Sequence, residues 1–432
     1  MSVAEVRLWG RAIGAVSLDE GQSTAAFQYL PEFVASGIEP APLMMPLAHR
    51  VYRFPELPVA SFHGLPGLLA DALPDRFGNA LIDQWLAQQG RTPESFNAVE
   101  RLCYIGTRAM GALSFRPVLG PRRISSRVDL DALVELASEV LAHRQGFTVS
   151  LESRKREKAM RDILRVGTSA GGARAKAIIA WNPDTNEVRS GQVDAGPGFG
   201  YWLLKFDGVS GNRDRELDDP QGYGAIEYAY ALMAQSAGIA MSECRLLEEG
   251  GRRHFMTRRF DRAEDGRRLH LQSLGALAHF DYNRAGAYGY EQALQVMRRL
   301  DLPMSALEEL FRRMLFNVVA RNQDDHVKNI AFLMDREGRW SLAPAYDLTY
   351  SHNPQGRWTA QHQMSIHGKR DHFTLADFHA CAQAAMLKRG RDKALLEQVI
   401  MAVRRWPEFA AQAGMDDALA MQIGTMHRLQ FV

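Results

Sequence analysis

Cysteine is scarce in this sequence: Cys103, Cys244 and Cys381 are the only three in 432 residues. An odd and scattered set gives neither a disulfide framework nor a metal-ligand spacing, so a reducing, cytosolic setting is expected. Long apolar runs are missing too. None approaches the length of a membrane span, and no membrane partner is expected. The opening MSVAEVRLWG carries an acid and lacks the basic-then-apolar pattern of a secretory leader. There is no internal repeat and no low-complexity segment. Charge of one sign is also lacking: 52 Lys and Arg face 50 Asp and Glu, and a formal net charge of +2 is too small for the whole chain to bind a polyanion. The basic clusters Arg154-Lys155-Arg156, Arg252-Arg253, Arg258-Arg259, Arg267-Arg268 and Arg312-Arg313 read as solvated faces. What remains is an ordinary globular composition, 46% hydrophobic and 24% charged, in a chain long enough for two or three cores.

Apolar alternation in EVRLWG and AIGAVSL, joined by a Gly-Arg turn, predicts an opening hairpin. Short strands are expected near FQYL (27–30) and HRVYRF (49–54). The stretch LPGLLADALPDRFGNALIDQWLAQQG (65–90) has helical spacing, broken at Pro74 and ended by Gly90. GPRRISSR (120–127) is the best linker candidate, and 128–165 reads as helix. From 166 to 210 the pattern turns to strands: AKAIIAWNP, a turn at Asp184 to Asn186, EVRSG, then YWLLKFDG. GAIEYAYALMAQSAGI (224–239) reads as an amphipathic helix closed by Gly238. HFMTRRFDR (254–262) reads as a strand, and helices dominate thereafter. The order implies an α+β protein with a small sheet lobe and a larger helical lobe.

The segment RNQDDHVKNIAF (321–332) places Asp324 and Asn329 in the D-x-x-x-x-N spacing of a kinase catalytic loop. That chemistry needs an aspartate to accept a hydroxyl proton and an asparagine one turn later to reach Mg²⁺. A turn capped by its own Asp and Asn is the plainer alternative. PAYDLTYS (344–351) puts Asp347 behind the strand pair IAFLMD and WSLAPAY, where a second Mg²⁺ carboxylate is expected; a helix N-cap is the alternative. VGTSAGGARAKAIIAW (166–181) is a Gly-rich loop read between two strands, in which Gly171, Gly172 and Ala173 could lay backbone N–H groups against phosphate. Ser169 stands where the middle glycine of G-x-G-x-x-G would be. GTSAG also fits the G-x-S-x-G elbow of a serine hydrolase, which needs a strand before it and a helix after it. A strand lysine held by a helix glutamate would grip phosphates, and Lys205 with Glu227 fits; Lys176 competes with Lys205 for that role.

These motifs, taken in order, resemble the HipA-like serine/threonine kinases, the toxin half of HipA–HipB toxin–antitoxin modules. LPGLLADALPDRFGN and YIGTRAMGALSF resemble the family's N-terminal subdomain, while VGTSAGGARAK, YWLLKFD, MTRRFDR, NQDDHVKN and PAYDLTYS resemble its kinase core. The resemblance implies a kinase-like two-lobe fold: an N-terminal α/β subdomain at 1–119, a small lobe with the Gly-rich loop at 120–262, and a helical lobe at 263–432. It implies Asp324 as base, Asn329 and Asp347 on Mg²⁺, and Lys205 on ATP phosphates, with Glu227 as its ion-pair partner. It implies Arg258, Arg259 and Phe260 as the adenine hinge, and His326, Lys328 and Tyr346 lining the nucleotide pocket. Ser169 would be autophosphorylated. Substrates would include aminoacyl-tRNA synthetases, and the partner would be a small helix-turn-helix antitoxin through which DNA is met indirectly. His326 departs from ordinary protein kinases, which place a lysine there; Lys328 is the candidate to take over its charge. A kinase-like co-repressor, a small-molecule kinase and the serine hydrolase are the competing readings.

Overall fold

The computed structural model describes residues 1–121, 127–142, 154–167, 174–209, 222–263 and 266–432. The expected hairpin forms from β1 (Ser2–Leu8) and β2 (Arg11–Leu18). Its two-residue loop is Trp9-Gly10, at φ 50 and φ 83, one residue before the expected Gly-Arg turn, and Arg11 already belongs to β2. Two left-handed residues match the twist of the flanking strands, which right-handed turns would splay. With β3 (Ala26–Tyr29), β4 (Val51–Tyr52) and β5 (Leu113–Arg116) they make an antiparallel sheet in the order β4-β3-β2-β1-β5. The helix Ala98–Ile105 packs on this sheet and opens with a reciprocal Asn97–Glu100 capping box. The helical stretch at 65–90 is split as Pro74 predicts, into Gly67–Ala70 and Arg76–Ala87. Phe27, Tyr29, Leu65, Leu102 and Tyr104 fill the core of this N-terminal unit.

The second sheet has the order β7-β6-β8-β10-β9, built from β6 (Lys176–Asn182), β7 (Glu187–Ser190), β8 (Gly200–Lys205), β9 (Cys244–Glu249) and β10 (Arg252–Arg258). Side chains alternate across it. One face, with Ala177, Ile179, Leu204 and Met256, packs under the helices Leu130–Ala142 and Arg154–Val166. The opposite face carries Lys176 and Lys205, which are direct cross-strand partners.

Two expectations change here. The Gly-rich segment does not lie between strands: the helix Arg154–Val166 precedes it and β6 follows it. The basic residues before it spoil an alternating strand pattern but suit a helix whose apolar residues Met160, Ile163 and Leu164 recur on one side. Ser169, Gly171, Gly172 and Ala173 themselves lie outside the described residues, as does most of the 120–127 linker. The helix read as amphipathic, Tyr223–Ser236, is instead buried nearly all round, and it shares its core with the helical unit.

That unit centres on Met304–Val319, packed by Tyr290–Arg299, Leu375–Ala384 and Arg391–Arg404. A small antiparallel sheet, β11 (His270–Ser273), β12 (Ala331–Met334) and β13 (Trp340–Leu342), lies on it. β9 and β11 were not foreseen. β9, CRLLEE, lacks a period-two pattern because its leucines are adjacent and its glutamates are adjacent, and β11 is only four residues long.

Candidate active site

The loop carrying Asp324 is fixed at both ends. The helix Met304–Val319 stops where Arg321 takes φ 59, and Asn322 folds back to donate to the Asn317 carbonyl at 2.9 Å. Within the loop the Asp324 carbonyl accepts from the His326 N–H at 3.0 Å and from Asn329 Nδ2 at 2.9 Å. Asn329 therefore spends its amide nitrogen on the loop and keeps Oδ1, an acceptor, for other work. The carbonyls of Val327 and Ile330 accept from Gly275 and Leu274, and the chain then enters β12. Asp325, the neighbouring acid, is buried. It accepts from the Tyr290 hydroxyl at 2.8 Å and the Gln363 N–H at 2.8 Å, and it meets His362 Nδ1 at 2.9 Å. It is an anchor, saturated by partners, and leaves Asp324 as the acid that reaches solvent.

Three separate elements converge at Lys205, the last residue of β8. Its Nζ lies 2.5 Å from Glu227 Oε1 on the helix Tyr223–Ser236 and is hydrogen-bonded to Asp347 Oδ1 on the segment after β13. The helix can bring Glu227 so near because its first turn carries Gly224, where a Cβ would sit 2.4 Å from the Arg253 carbonyl on β10. Asp347 takes φ 53, a left-handed conformation that a side chain adopts only when its surroundings impose it. Burial pushes the Asp347 carboxyl up, but Lys205 first and then Lys176 outweigh it and hold the group at about 2. Burial opposes the Lys205 charge as well, and Asp347 and Glu227 overcome it to raise the ammonium above its ordinary value. The pair is thus ionised across the physiological range. Asp347 is not a helix N-cap: no helix follows before Leu375–Ala384.

Lys176 faces the same side but points to a different partner. Its Nζ lies 3.2 Å from Asp75 Oδ2, and both side chains are buried. Two lysines directly opposite each other repel; each is matched here by its own carboxylate. Asp75 also caps the helix Arg76–Ala87 by accepting from the Gly78 N–H at 2.7 Å. Burial dominates its titration and raises it to about 6 against the pull of Lys176. Nothing short of the fold links residue 75 to residue 176. The sequence signal at Asp75 was only that of a helix start after Pro74.

The remaining expected residues fall around a small apolar shelf of Ala331, Leu333 and Ala343. Phe260 and Tyr346 pack against it, their ring centroids 5.7 Å apart. Tyr346 donates its hydroxyl to the Lys328 carbonyl at 2.6 Å, and the Lys328 ammonium sits over the Tyr282 ring at 4.6 Å. His326 Nε2 is 4.0 Å from Asp324 Oδ1. The two arginines before Phe260 turn elsewhere. Arg258 is exposed beside Glu243, 3.7 Å away, and Arg259 is buried in a bidentate pair with Asp261 while its N–H donates to the Tyr201 carbonyl at 2.9 Å. Among the described residues no three His, Cys, Asp or Glu side chains gather as a metal cage. Asn329 and Asp347 with phosphate oxygens still suit Mg²⁺, which is commonly held by one or two carboxylates and its substrate's phosphates.

This arrangement can be set beside known proteins. The pattern of the HipA N-terminal domain matches residues 4–116, and that of the HipA-like C-terminal domain matches residues 168–406. The chain belongs to the HipA family. A protein named "Putative kinase Y4mE" from Sinorhizobium fredii is 28% identical over 125 residues, 27% of this chain and 30% of that protein. A "Putative kinase" from Haemophilus influenzae is 27% identical over 135 residues, 28% of this chain and 39% of that protein. The chain thus matches well under half the length of these curated relatives. In the solved complex of the Shewanella oneidensis HipA, HipB and operator DNA, one chain superposes with a TM-score of 0.69 at 17% identity, covering 98% of this chain and 95% of that one. This HipA-family chain therefore carries the HipA fold across nearly its whole length.

Proposed function

We propose that this chain is an ATP- and Mg²⁺-dependent serine/threonine protein kinase and the toxin of a toxin–antitoxin pair. The observation that carries the reading is the convergence of Lys205, Glu227 and Asp347 from three elements, beside a loop that holds Asp324 outward and Asn329 by its amide. In this reading Lys205 and the Gly-rich loop bind the ATP phosphates, and Phe260 and Tyr346 flank the adenine on the apolar shelf. Asn329 and Asp347 hold Mg²⁺, which offsets the charge of the β- and γ-phosphates. The acceptor hydroxyl forms its bond to the γ-phosphorus as the β–γ bridging bond breaks toward ADP, and its proton passes to Asp324. Family membership supports a translation protein such as an aminoacyl-tRNA synthetase as acceptor, and a helix-turn-helix antitoxin as the partner that reaches DNA. The hydrolase reading of GTSAG is disfavoured on both sides, since a helix precedes the motif and a strand follows it, the reverse of a nucleophile elbow.

The test is transfer of labelled γ-phosphate from Mg-ATP by the purified protein, with the phosphorylated proteins then identified after induction in cells. Incubation with Mg-ATP alone is expected to place phosphate on Ser169. That group adds roughly −1.5 to −2 charge where the ATP phosphates belong, so it should switch nucleotide binding off. Mass spectrometry reads this directly. Labelling of Ser169 by a fluorophosphonate, with no phosphate found there, would favour the hydrolase.

A further inference from the structure

The segment after Asp347 folds back over the catalytic loop and is attached to both of its adjacent aspartates. Asp325 takes the Gln363 N–H at 2.8 Å and lies 2.9 Å from His362 Nδ1. Gln363 in turn donates its side-chain amide to the Trp358 carbonyl. This holds Trp358, itself half-buried, over Asp324, where the indole Nε1–H donates to Asp324 Oδ1 at 2.7 Å. A hydrogen bond to a carboxylate is charge-assisted and short, so it fixes a rotamer as well as an atom. His326 approaches the same oxygen, at 4.0 Å. Both neighbours are thus on Oδ1. The carboxylate keeps 37% side-chain exposure, and among the described residues its other oxygen carries no hydrogen bond.

We infer that Trp358 is a positioning residue for Asp324: its indole N–H holds Oδ1 and thereby presents Oδ2 to the acceptor hydroxyl. The inference rests on the kinase reading. Oδ2 receives the hydroxyl proton as the new oxygen–phosphorus bond forms and the β–γ bond breaks toward ADP, while Oδ1 stays on the indole. Asp325 contributes by anchoring the segment from beneath, so two neighbouring acids divide the labour: one supports the indole and the other is aimed by it. Misplacing a reacting group by about 1 Å can cost on the order of 10²-fold.

The experiment compares the full chain with Trp358→Phe, which keeps a ring but loses the N–H, and with Trp358→His, which restores a ring N–H. Phosphoryl transfer by Trp358→Phe should fall about 10- to 100-fold in kcat, with the Kd for Mg-ATP and the thermal midpoint unchanged, and Trp358→His should recover part of the loss. A parallel fall in affinity and midpoint would make Trp358 merely structural, and equal or higher turnover in Trp358→Phe would make it dispensable or a plug; each overturns the inference. A second measurement does not depend on turnover. The indole ¹⁵N–¹H resonance of Trp358, assigned by its loss in Trp358→Phe, should move in Asp324→Asn. An unmoved resonance means the contact does not exist in solution, and the inference fails whatever the chemistry. If the resonance moves but the wild-type protein transfers no phosphate, it is the kinase reading that has failed, and the positioning role falls with it.

Discussion

At the scale of single residues, the two aspartates flanking β12 and β13 carry different burdens. Asp324 is proposed to take a proton, and a general base typically contributes about 10²–10⁴-fold. Asp324→Asn should lower phosphoryl transfer by that factor while leaving Mg-ATP affinity in place, as radiolabel transfer and calorimetry together would establish. Near-full turnover would remove Asp324 from the role, and Asp325 could not inherit it, because its oxygens are committed to Tyr290, His362 and Gln363. Asp347→Ala should erase the Mg²⁺ dependence of ATP binding, since it removes the only carboxylate of the proposed metal pair. It also leaves Lys205 with Glu227 alone, so metal-free ATP should bind at least as well as before. Titrations with and without Mg²⁺ that still differ would return Asp347 to a purely structural place. The D-x-x-x-x-N spacing and the Lys205–Glu227 pair were legible in the sequence because each is a local pattern with a chemical reason. Asp75, Trp358 and the Asp325 anchors were not, because their partners lie 101, 34 and 35 to 38 residues away and no local spacing marks them. The arginine pairs misled in the same way. Arg253, Arg259, Arg268 and Arg313 turn to carbonyls or carboxylates of the fold instead of solvent, and dipeptide composition cannot distinguish those outcomes.

Elements were legible wherever alternation or helical spacing was uninterrupted. The opening hairpin, the Pro74 break and the strands β6, β7, β8 and β10 follow from pattern and turn residues alone. The helix Tyr223–Ser236 shows the limit: its apolar residues run nearly all round, and burial on every side comes from tertiary packing that a moment along one helix does not reveal. Its placement matters because it carries Glu227. The determinant is Gly224, whose missing side chain lets the first turn lie against the Arg253 carbonyl of β10. In Gly224→Ala the added Cβ would fall 2.4 Å from that backbone oxygen, which cannot rotate away, so helix or strand must shift. Overpacking of this kind costs about 1–3 kcal/mol. The variant should melt several degrees lower, and its ATP affinity should fall because Glu227 withdraws from Lys205. An unchanged melting point would mean that the helix sits more loosely on β10 than its contacts indicate.

At the scale of the whole molecule, the N-terminal unit touches both of the others beside the candidate site. Asp75 meets Lys176 of the sheet unit, while Asp71 accepts from the N–H and hydroxyl of Ser273, and Asn283 donates to Ser61 at 2.9 Å on the helical side. Gly67 has no Cβ because one would sit 2.1 Å from the Ala276 carbonyl, and its N–H donates to His279 Nε2 at 3.0 Å. That bond requires a neutral imidazole. The His279 ring stands edge-on to Phe54 and Phe62 of the N-terminal unit, and burial lowers its titration from 6.5 to about 4. Unfolded chains therefore take up the proton first as pH falls. The stability contributed is fully present above about 6.5 and is lost progressively between 6.5 and about 4, where the folded protein must protonate too. A shift of that size corresponds to about 2–3 kcal/mol once partial exposure is allowed for. His254, His270 and His427 are lowered to the same value by burial, so the wild-type melting point should drop steeply over this interval. His279→Gln keeps an acceptor for the Gly67 N–H but cannot titrate, and it should make that slope shallower. Hydrogen exchange adds a local reading: as pH falls through about 4 the Gly67 amide should lose protection in the wild type, after correction for intrinsic rates, and keep it in His279→Gln. Melting curves whose pH slopes coincide for the two proteins would mean that the junction between the N-terminal and helical units does not sense protons through this ring.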